Sequence, residues 1–404
     1  MRPFVWFIVG ILLLILLEAA RVYFIMPFPG SQQDDAASLD RVSVAYWLHN
    51  NIGWLRATGL IATAFMLYRL LSGPARRWQR WVAGALVLVY GGVLYMVDAE
   101  MMADQMFLQP QTKRMVPLSG NKIPMNKLVL GVYENGEARA YPLQLIGYHH
   151  QVRDTVGGKP LMITYCTVCR TGRVFDPVVA GSVETFRLVG MDHFNAMFED
   201  ETTGSWWRQA TGEAILGPRK GQTLTEIPAR HLTLAEWATE HPATLVMQPD
   251  PAFKAETDSL ATYDLGVKRG KLTGRDSASW HNKSWVVGIL ADDAAKAFDW
   301  NDMVKKQVVN DFVGKQPVLV AVAPDRMSFG VWSRRVADKT LTFAATPGGQ
   351  WTDRETGSRW NRQGRAVSGP LAGQQLTPVQ AYQEFWHSWR SFHPATTKAD
   401  GSGQ

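Results

Sequence analysis

The apolar positions of this chain follow two patterns. Near the N-terminus they are nearly continuous: residues 4–17 carry no charge, and apolar character resumes after Glu18 and Arg21 as far as Met26. Comparable stretches cover residues 54–71 and 81–97. Each approaches the roughly 20 residues that span a bilayer as a helix, so the pattern predicts three transmembrane helices. Glu18 and Arg21, three residues apart, share a helix face and can partly neutralise each other. The first stretch alone would pass for a signal peptide, because its uncharged run is 14 residues long. Two further spans favour an uncleaved anchor.

Beyond about Met101 the apolar runs become short and alternate with turn residues. Residues 129–132 and 138–141 flank Glu134-Asn-Gly-Glu137, and Asn-Gly is the strongest two-residue hairpin signal. Residues 161–165 and 173–175 predict strands. Residues 233–240 and 378–389 predict helices, ended by His241-Pro242 and His393-Pro394, since proline disfavours helix in the residue before it.

This region also repeats itself. Val129-Leu-Gly-Val132 and Ala138-Arg-Ala-Tyr141 recur as Val286-Val-Gly-Ile289 and Ala295-Lys-Ala-Phe298. Asp154, Gly157 and Pro160 recur as Asp311, Gly314 and Pro317, and Thr203-Gly-Ser205 with Trp207 as Thr356-Gly-Ser358 with Trp360. We expect a membrane anchor at 1–98, a first repeat at 99–248, a connecting segment at 249–283, a second repeat at 284–395 and a flexible tail at 396–404. The fold class expected is α+β: a β-rich duplicated domain after a bundle of three transmembrane helices.

Charge sets the expected orientation. Arg69, Arg76, Arg77 and Arg80 lie between the second and third spans. Asp34, Asp35 and Asp40 follow the first span, and Asp98, Glu100 and Asp104 follow the third. The positive-inside rule then places the arginine loop in the cytoplasm and the large C-terminal domain outside it. We expect a multi-pass protein of the inner (cytoplasmic) membrane, held by lipid. The net charge of +6 partly marks topology, and no nucleic-acid partner is expected. With 46% hydrophobic, 11% aromatic and 19% charged residues the chain is neither disordered nor fibrous. Two cysteines exclude a disulfide-stapled scaffold and a cysteine-only zinc site.

Comparing the repeats separates scaffold from chemistry. Asp154 and Asp311 read as turn residues, and Trp207 and Trp360 as core. Reactive groups held by one repeat are better candidates. The first alone has Thr164-Tyr-Cys166-Thr-Val-Cys169-Arg170, where the second has Ala323 and Arg326; His149 and His150 face Lys306 and Gln307. Asp192-His193 faces a segment without titratable groups. A Cys-x-x-Cys turn can exchange electrons as dithiol and disulfide, or hold a copper or zinc ion with His149, His150 or His193 completing the shell. It can also be a static disulfide, which an extracytoplasmic location permits. Arg170 beside the pair would favour thiolate. Adjacent His149 and His150 would point to opposite faces of a strand.

Ala140-Tyr-Pro-Leu143, His149 with Val152-Arg-Asp154, Thr164-Tyr-Cys166 with Cys169, Val174-Phe-Asp176, Gly204-Ser-Trp-Trp207 and the closing Phe385-Trp386 resemble domain of unknown function 3179, over about residues 125–395. That family occurs in exported or membrane-attached bacterial and archaeal proteins and has no established activity. The resemblance therefore bears on domain limits. The leading expectation is a redox or metal-handling site at Cys166 and Cys169, with His149 or His193 as third ligand or proton acceptor and an extracytoplasmic protein as redox partner. The alternative is a binding or assembly module with a structural disulfide.

Overall fold

A computed structural model describes residues 2–26 and 38–399. Asp34 and Asp35 of the acidic loop, and residues 400–404 of the expected tail, lie outside them. The chain forms two compact units. One comprises residues 1–108, 186–208 and 214–222; the other comprises 109–185, 209–213 and 223–404.

In the first unit, helices Arg2–Ile25, Ser38–Leu71 and Arg77–Met96 run up, down and up. Phe4, Phe7, Ile11 and Leu14 recur at three- and four-residue spacing and form the buried seam with Leu70, Ala83 and Tyr90. Trp6, Leu13, Leu16, Ile61, Tyr68, Trp81 and Leu88 face outward, the reverse of a water-soluble bundle. Two helices, not the expected three, are long and apolar enough to cross a membrane: Arg2–Ile25 and Arg77–Met101, the latter ending in the π-helical turn Val97–Met101. The expected middle span falls short because Arg56 and Arg69 interrupt it. Arg56 is turned onto the fully buried Glu18 by contacts of 2.7 and 2.6 Å, and Arg21 joins the same carboxylate at 3.1 Å.

The same unit carries an antiparallel sheet in the order Ala214–Leu216, Trp206–Arg208, Asn195–Asp200, Phe186–Asp192. It sits at the end of the helices away from Arg76, Arg77 and Arg80. Ile25 closes on Gly190, where an added Cβ would come within 2.1 Å of its side chain. His49 meets Glu199 at 2.9 Å, and Arg187 meets Asp104 at 2.9 Å. Trp207 donates its indole N–H to Asp200 at 2.8 Å, holding the Thr203-Gly204-Ser205 loop.

The second unit uses one order of elements twice. Strands Leu128–Glu134 and Glu137–Pro142 form a hairpin across Asn135-Gly136, both left-handed (φ 46° and 85°), as the sequence predicts. Helix Leu143–His149 and the antiparallel strands Gln151–Val156, Lys159–Cys166 and Thr171–Phe175 follow. Later, hairpin Trp285–Ala291 and Ala294–Asp299 precedes helix Trp300–Lys306 and strands Val308–Val313, Gln316–Val322 and Phe329–Ser333. Asp154 and Asp311 lie within strands rather than turns. Asp154 accepts from the Tyr141 hydroxyl at 2.7 Å, and Asp311 pairs with Lys296 at 2.7 Å.

Each hairpin gains an antiparallel strand followed by a helix. Ala229–Thr233 pairs with Leu128–Glu134 and leads into Leu234–Glu240, whose first turn is capped by Thr233. Ala381–Phe385 pairs with Trp285–Ala291 and leads into Trp386–Phe392. The helix expected over 378–389 is thus half strand. Pairing with Trp285–Ala291 satisfies the backbone of residues 381–385 and takes precedence over their local preference. Trp237 lies over Gly131, and Trp389 over Gly288, where an added Cβ would come within 2.5 and 2.2 Å of the indole. Their indole N–H groups donate to Thr244 and Thr396, both at 2.8 Å.

Gly288→Ala should therefore overpack this contact at a cost of about 1–3 kcal/mol, and Trp389→Ala should cost about 3–5 kcal/mol. Thermal unfolding of the detergent-solubilised protein measures both as a lowered Tm. Gly84→Ala, with no atom within 4 Å of the added Cβ, should leave Tm unchanged or raised.

Candidate functional site

Strand Lys159–Cys166 ends on the first cysteine, and strand Thr171–Phe175 begins two residues after the second. The connection closes through Arg170, a non-glycine residue at φ 58°. Cys166 and Cys169 lie 4.2 Å apart. Both are buried, and neither is in a disulfide. The turn is covered by strand Ala381–Phe385 and helix Trp386–Phe392: the Phe385 amide donates to the Cys169 carbonyl at 3.0 Å.

Four residues that the sequence reading did not single out surround the pair. Lys283 Nζ donates to the Val168 carbonyl at 2.5 Å and lies 3.1 Å from His387 Nε2, which is itself 3.2 Å from that carbonyl. Ser388 lies 3.2 Å from the Thr171 hydroxyl and donates to Glu384 at 2.9 Å. Glu384 accepts from Arg173 at 2.6 Å, and the side chains of this ion pair are only 2% and 1% exposed. Arg173 also stacks on Tyr382, whose hydroxyl donates to Glu226 at 3.0 Å. A continuous chain of polar groups thus leads from the cysteine turn through Ser388, Glu384 and Arg173 to Glu226.

Burial pushes the Cys169 thiol well above its ordinary value, and the hydrogen bond and charge of Cys166 add to this; Lys283 and a hydrogen bond with Ser388 oppose it. Burial in turn draws Lys283 down to about 8, against the pull of the two sulfurs. His387 is held at about 3, first by burial and then by Lys283. The cation with the largest effect on Cys169 is therefore Lys283 and not the adjacent Arg170. The Arg170 guanidinium is turned onto Gln383 at 2.9 and 3.0 Å and stacks 3.7 Å over Trp285.

The expected histidine ligands are placed differently. His149 and His150 end helix Leu143–His149 instead of lying on a strand, so the opposite-face argument does not apply. The His149 ring packs edge-on against Phe253 at 5.2 Å. His150 takes the left-handed capping position at φ 59°, with Nδ1 3.0 Å from the Tyr148 carbonyl. His193 belongs to the first unit, in the turn between Phe186–Asp192 and Asn195–Asp200, and pairs with Asp192 at 2.8 Å. Burial raises Asp192, but His193 and Arg208 hold its carboxyl below the usual range. Among the described residues, no three His, Cys, Asp or Glu side chains are grouped to hold a metal ion. The structure brings Cys166 and Cys169 together and assembles no third ligand.

Two of the missed residues, Glu384 and His387, were open to the comparison of the expected repeats, run in the other direction. The offset that sets His393-Pro394 against His241-Pro242 sets His387 against Ala235 and Glu384 against Leu232.

The fold is an α+β domain with many small sheets attached to an apolar helical region. The family described as "Protein of unknown function (DUF3179)" matches residues 110–396, and the chain belongs to that family. Comparison with curated proteins and with solved structures finds no match.

Removing one partner of the Arg173–Glu384 pair should cost about 3–5 kcal/mol, whereas an apolar replacement of both should recover most of it. Unfolding of Glu384→Leu, Arg173→Met and the double variant measures this as a coupling energy. His387 gives a pH dependence of definite sign. The folded protein keeps it neutral down to about pH 3, while the unfolded chain protonates it near the ordinary 6.5. The unfolded state then binds the extra proton between about pH 6.5 and 3, so stability falls as pH drops through that window. His150, held at about 4 by burial, acts in the same direction. His387→Gln should lessen the loss of Tm between pH 7 and pH 4.5, these being about the limits to test.

Proposed function

We propose that Cys166 and Cys169 form a dithiol–disulfide redox centre in a membrane-attached protein. The observation that carries this reading is a pair of buried, unbridged cysteines 4.2 Å apart, beside a lysine whose ammonium is drawn down to about 8. On oxidation the two thiols form one S–S bond and give up two electrons and two protons. A disulfide acceptor takes the electrons and leaves as two thiols. Lys283 holds or releases a proton near neutral pH and favours thiolate by its charge, in the role first considered for His149. Ser388 and Glu384 give the protons a hydrogen-bonded route away from sulfur. Because both sulfurs are buried, an acceptor reaches them only when the turn lifts from residues 381–385, which makes exchange slow in the resting fold.

Membrane attachment rests on the two apolar helices. In this reading the helix Ser38–Leu71 crosses as well, with Arg56 neutralised by Glu18. The arginine loop is cytoplasmic, and the sheet of the first unit and the family domain lie outside. The two runs of hairpin, helix and three strands are products of an internal duplication, in which the second copy lost the cysteines and supplies Glu384, His387 and Ser388 to the first.

Equilibrating the detergent-solubilised protein in thiol–disulfide buffers, followed by alkylation under denaturing conditions and mass analysis, tests the centre. The expected result is a single two-electron transition from two alkylated cysteines to none. Lys283→Met should slow oxidation about tenfold near pH 8, the equivalent of about one pK unit at the reacting thiol. Two cysteines that stay alkylatable across the whole range, or a stoichiometric metal ion that must be stripped before alkylation, would overturn the redox reading.

A further inference from the structure

The cysteine turn has a counterpart in the second run of elements. Helices Leu143–His149 and Trp300–Lys306 each end on a left-handed residue, His150 at φ 59° and Gln307 at φ 62°. The carbonyl of that residue accepts from the amide of Tyr165 at 3.0 Å in one run and of Val322 at 2.9 Å in the other. The turn that follows holds a left-handed arginine in both, Arg170 at φ 58° and Arg326 at φ 56°. In the first run one face of the helix is covered. Gln144 donates to the Thr257 carbonyl at 3.0 Å, Tyr148 packs on Phe253, and Thr167 and Leu260 close on Gly147. At the same helix positions of the second run, Asn301, Val304 and Lys305 instead line a cavity of about 590 Å³. That volume is in the range of small-molecule sites.

Three cations from separate segments line this cavity: Arg275 before the hairpin, Lys305 on the helix and Arg326 in the turn. Among the described residues none of the three is in an ion pair. The carboxylates close to them in sequence are engaged. Asp302 pairs with Lys306 at 3.0 Å, and Asp276 with His281 at 2.8 Å. Asp299 accepts from the Ser279 hydroxyl and the Asp302 amide, both at 2.9 Å. Arg275 stacks 4.1 Å from the Trp285 indole, which also carries Arg170. Burial, then the charge of Arg170, holds this guanidinium below its ordinary value, and Asp299 offsets only part of that. Three cations against the one carboxylate of Asp299 leave two positive charges unmatched. Residues 265–275 add Lys268, Arg269 and Lys271 and contain no acid. The wall is also set in advance. Asn301 accepts from Arg275 at 2.9 Å and donates to the Ser277 carbonyl at 2.9 Å and to Ser279 at 3.1 Å, so binding has little left to order there.

We propose that this cavity binds a phosphate monoester, its phosphate held by Arg275, Lys305 and Arg326. A phosphate monoester carries about −1.5 to −2 charges at neutral pH, which matches the two that the site leaves over. Its oxygens also suit the forked donors of arginine. A carboxylate would leave one positive charge unmatched, and a neutral ligand would leave both. The cavity is larger than one inorganic phosphate fills, and the remaining space beside Val304 takes the organic part. None of the three cations belongs to the cysteine site, so this inference stands apart from the redox reading.

The test uses the full chain in phosphatidylcholine nanodiscs, whose headgroups are phosphate diesters. Glycerol 3-phosphate and dihexanoyl phosphatidic acid are titrated by calorimetry at constant ionic strength, with acetate and glycerol as contrasting probes. Saturable binding of at least one monoester with Kd near or below about 1 mM is expected. The Lys305→Gln, Arg326→Gln double variant should weaken it about tenfold or more. Both side chains are exposed, so this variant keeps the fold. Lys220→Gln, which removes an exposed charge from the other unit, should leave the affinity unchanged. Tighter binding of glycerol 3-phosphate supports a soluble ligand, and tighter binding of dihexanoyl phosphatidic acid supports the same site filled by a lipid headgroup. No saturable binding of either monoester would overturn the proposal. So would unchanged affinity in the double variant, an equal loss in Lys220→Gln, or acetate binding as tightly as the monoesters.

Discussion

Two opposite charges withdrawn from water, on Arg173 and Glu384, set the terms for the second unit. Neither side chain can be buried alone, because the desolvation of each is repaid only by the other. Arg173 stands on the strand that leaves the cysteine turn, and Glu384 stands on a strand more than two hundred residues later. The pair therefore requires the end of the chain to lie on the cysteine turn. It also orders what surrounds it: Ser388 is held by Glu384, Tyr382 by the face of Arg173 and by Glu226. The environment of the two sulfurs is thus a product of one long-range electrostatic match, and replacing it by apolar residues would keep the contact while removing the polar route beside Cys169.

A second constraint is steric and appears at two places. Gly131 and Gly288 leave room for an indole to lie directly on a strand, and Trp237 and Trp389 fill it. Each tryptophan opens onto a threonine hydroxyl a few residues past its helix, so the helix, its His-Pro end and the following segment are fixed together. This explains why glycine, tryptophan and His-Pro recur in register along the sequence. They are parts of one packing unit separated by more than a hundred residues.

What the sequence made legible follows from these physical ranges. The Asn135-Gly136 hairpin, the strands around the cysteines and the helix capped by Thr233 depend on turn chemistry and local alternation, and all appear as read. The seam of the first helix is a spacing pattern and was equally accessible. Residues 381–385 were misread because their strand pairing is non-local, and His149 and His150 because a short helix replaces an inferred strand. Arg56 showed its charge in the sequence, but not that Glu18 neutralises it. The cysteines were visible as a motif. Lys283 and Ser388 were not, and Glu384 and His387 could be picked out only as differences between the expected repeats, because their meaning depends on a contact between residues far apart in the chain.

The cover over the cysteine turn has a consequence for biosynthesis. Residues 381–392 follow Cys169 by more than two hundred residues, so a nascent chain carries Cys166 and Cys169 through that stretch of synthesis without the elements that bury them. During that interval the thiols meet whatever oxidant the compartment contains, unshielded and without the influence of Ser388. Docking of residues 381–392 then encloses the sulfurs in the redox state they have reached. The order of translation gives this site an open period before folding and a guarded one afterwards.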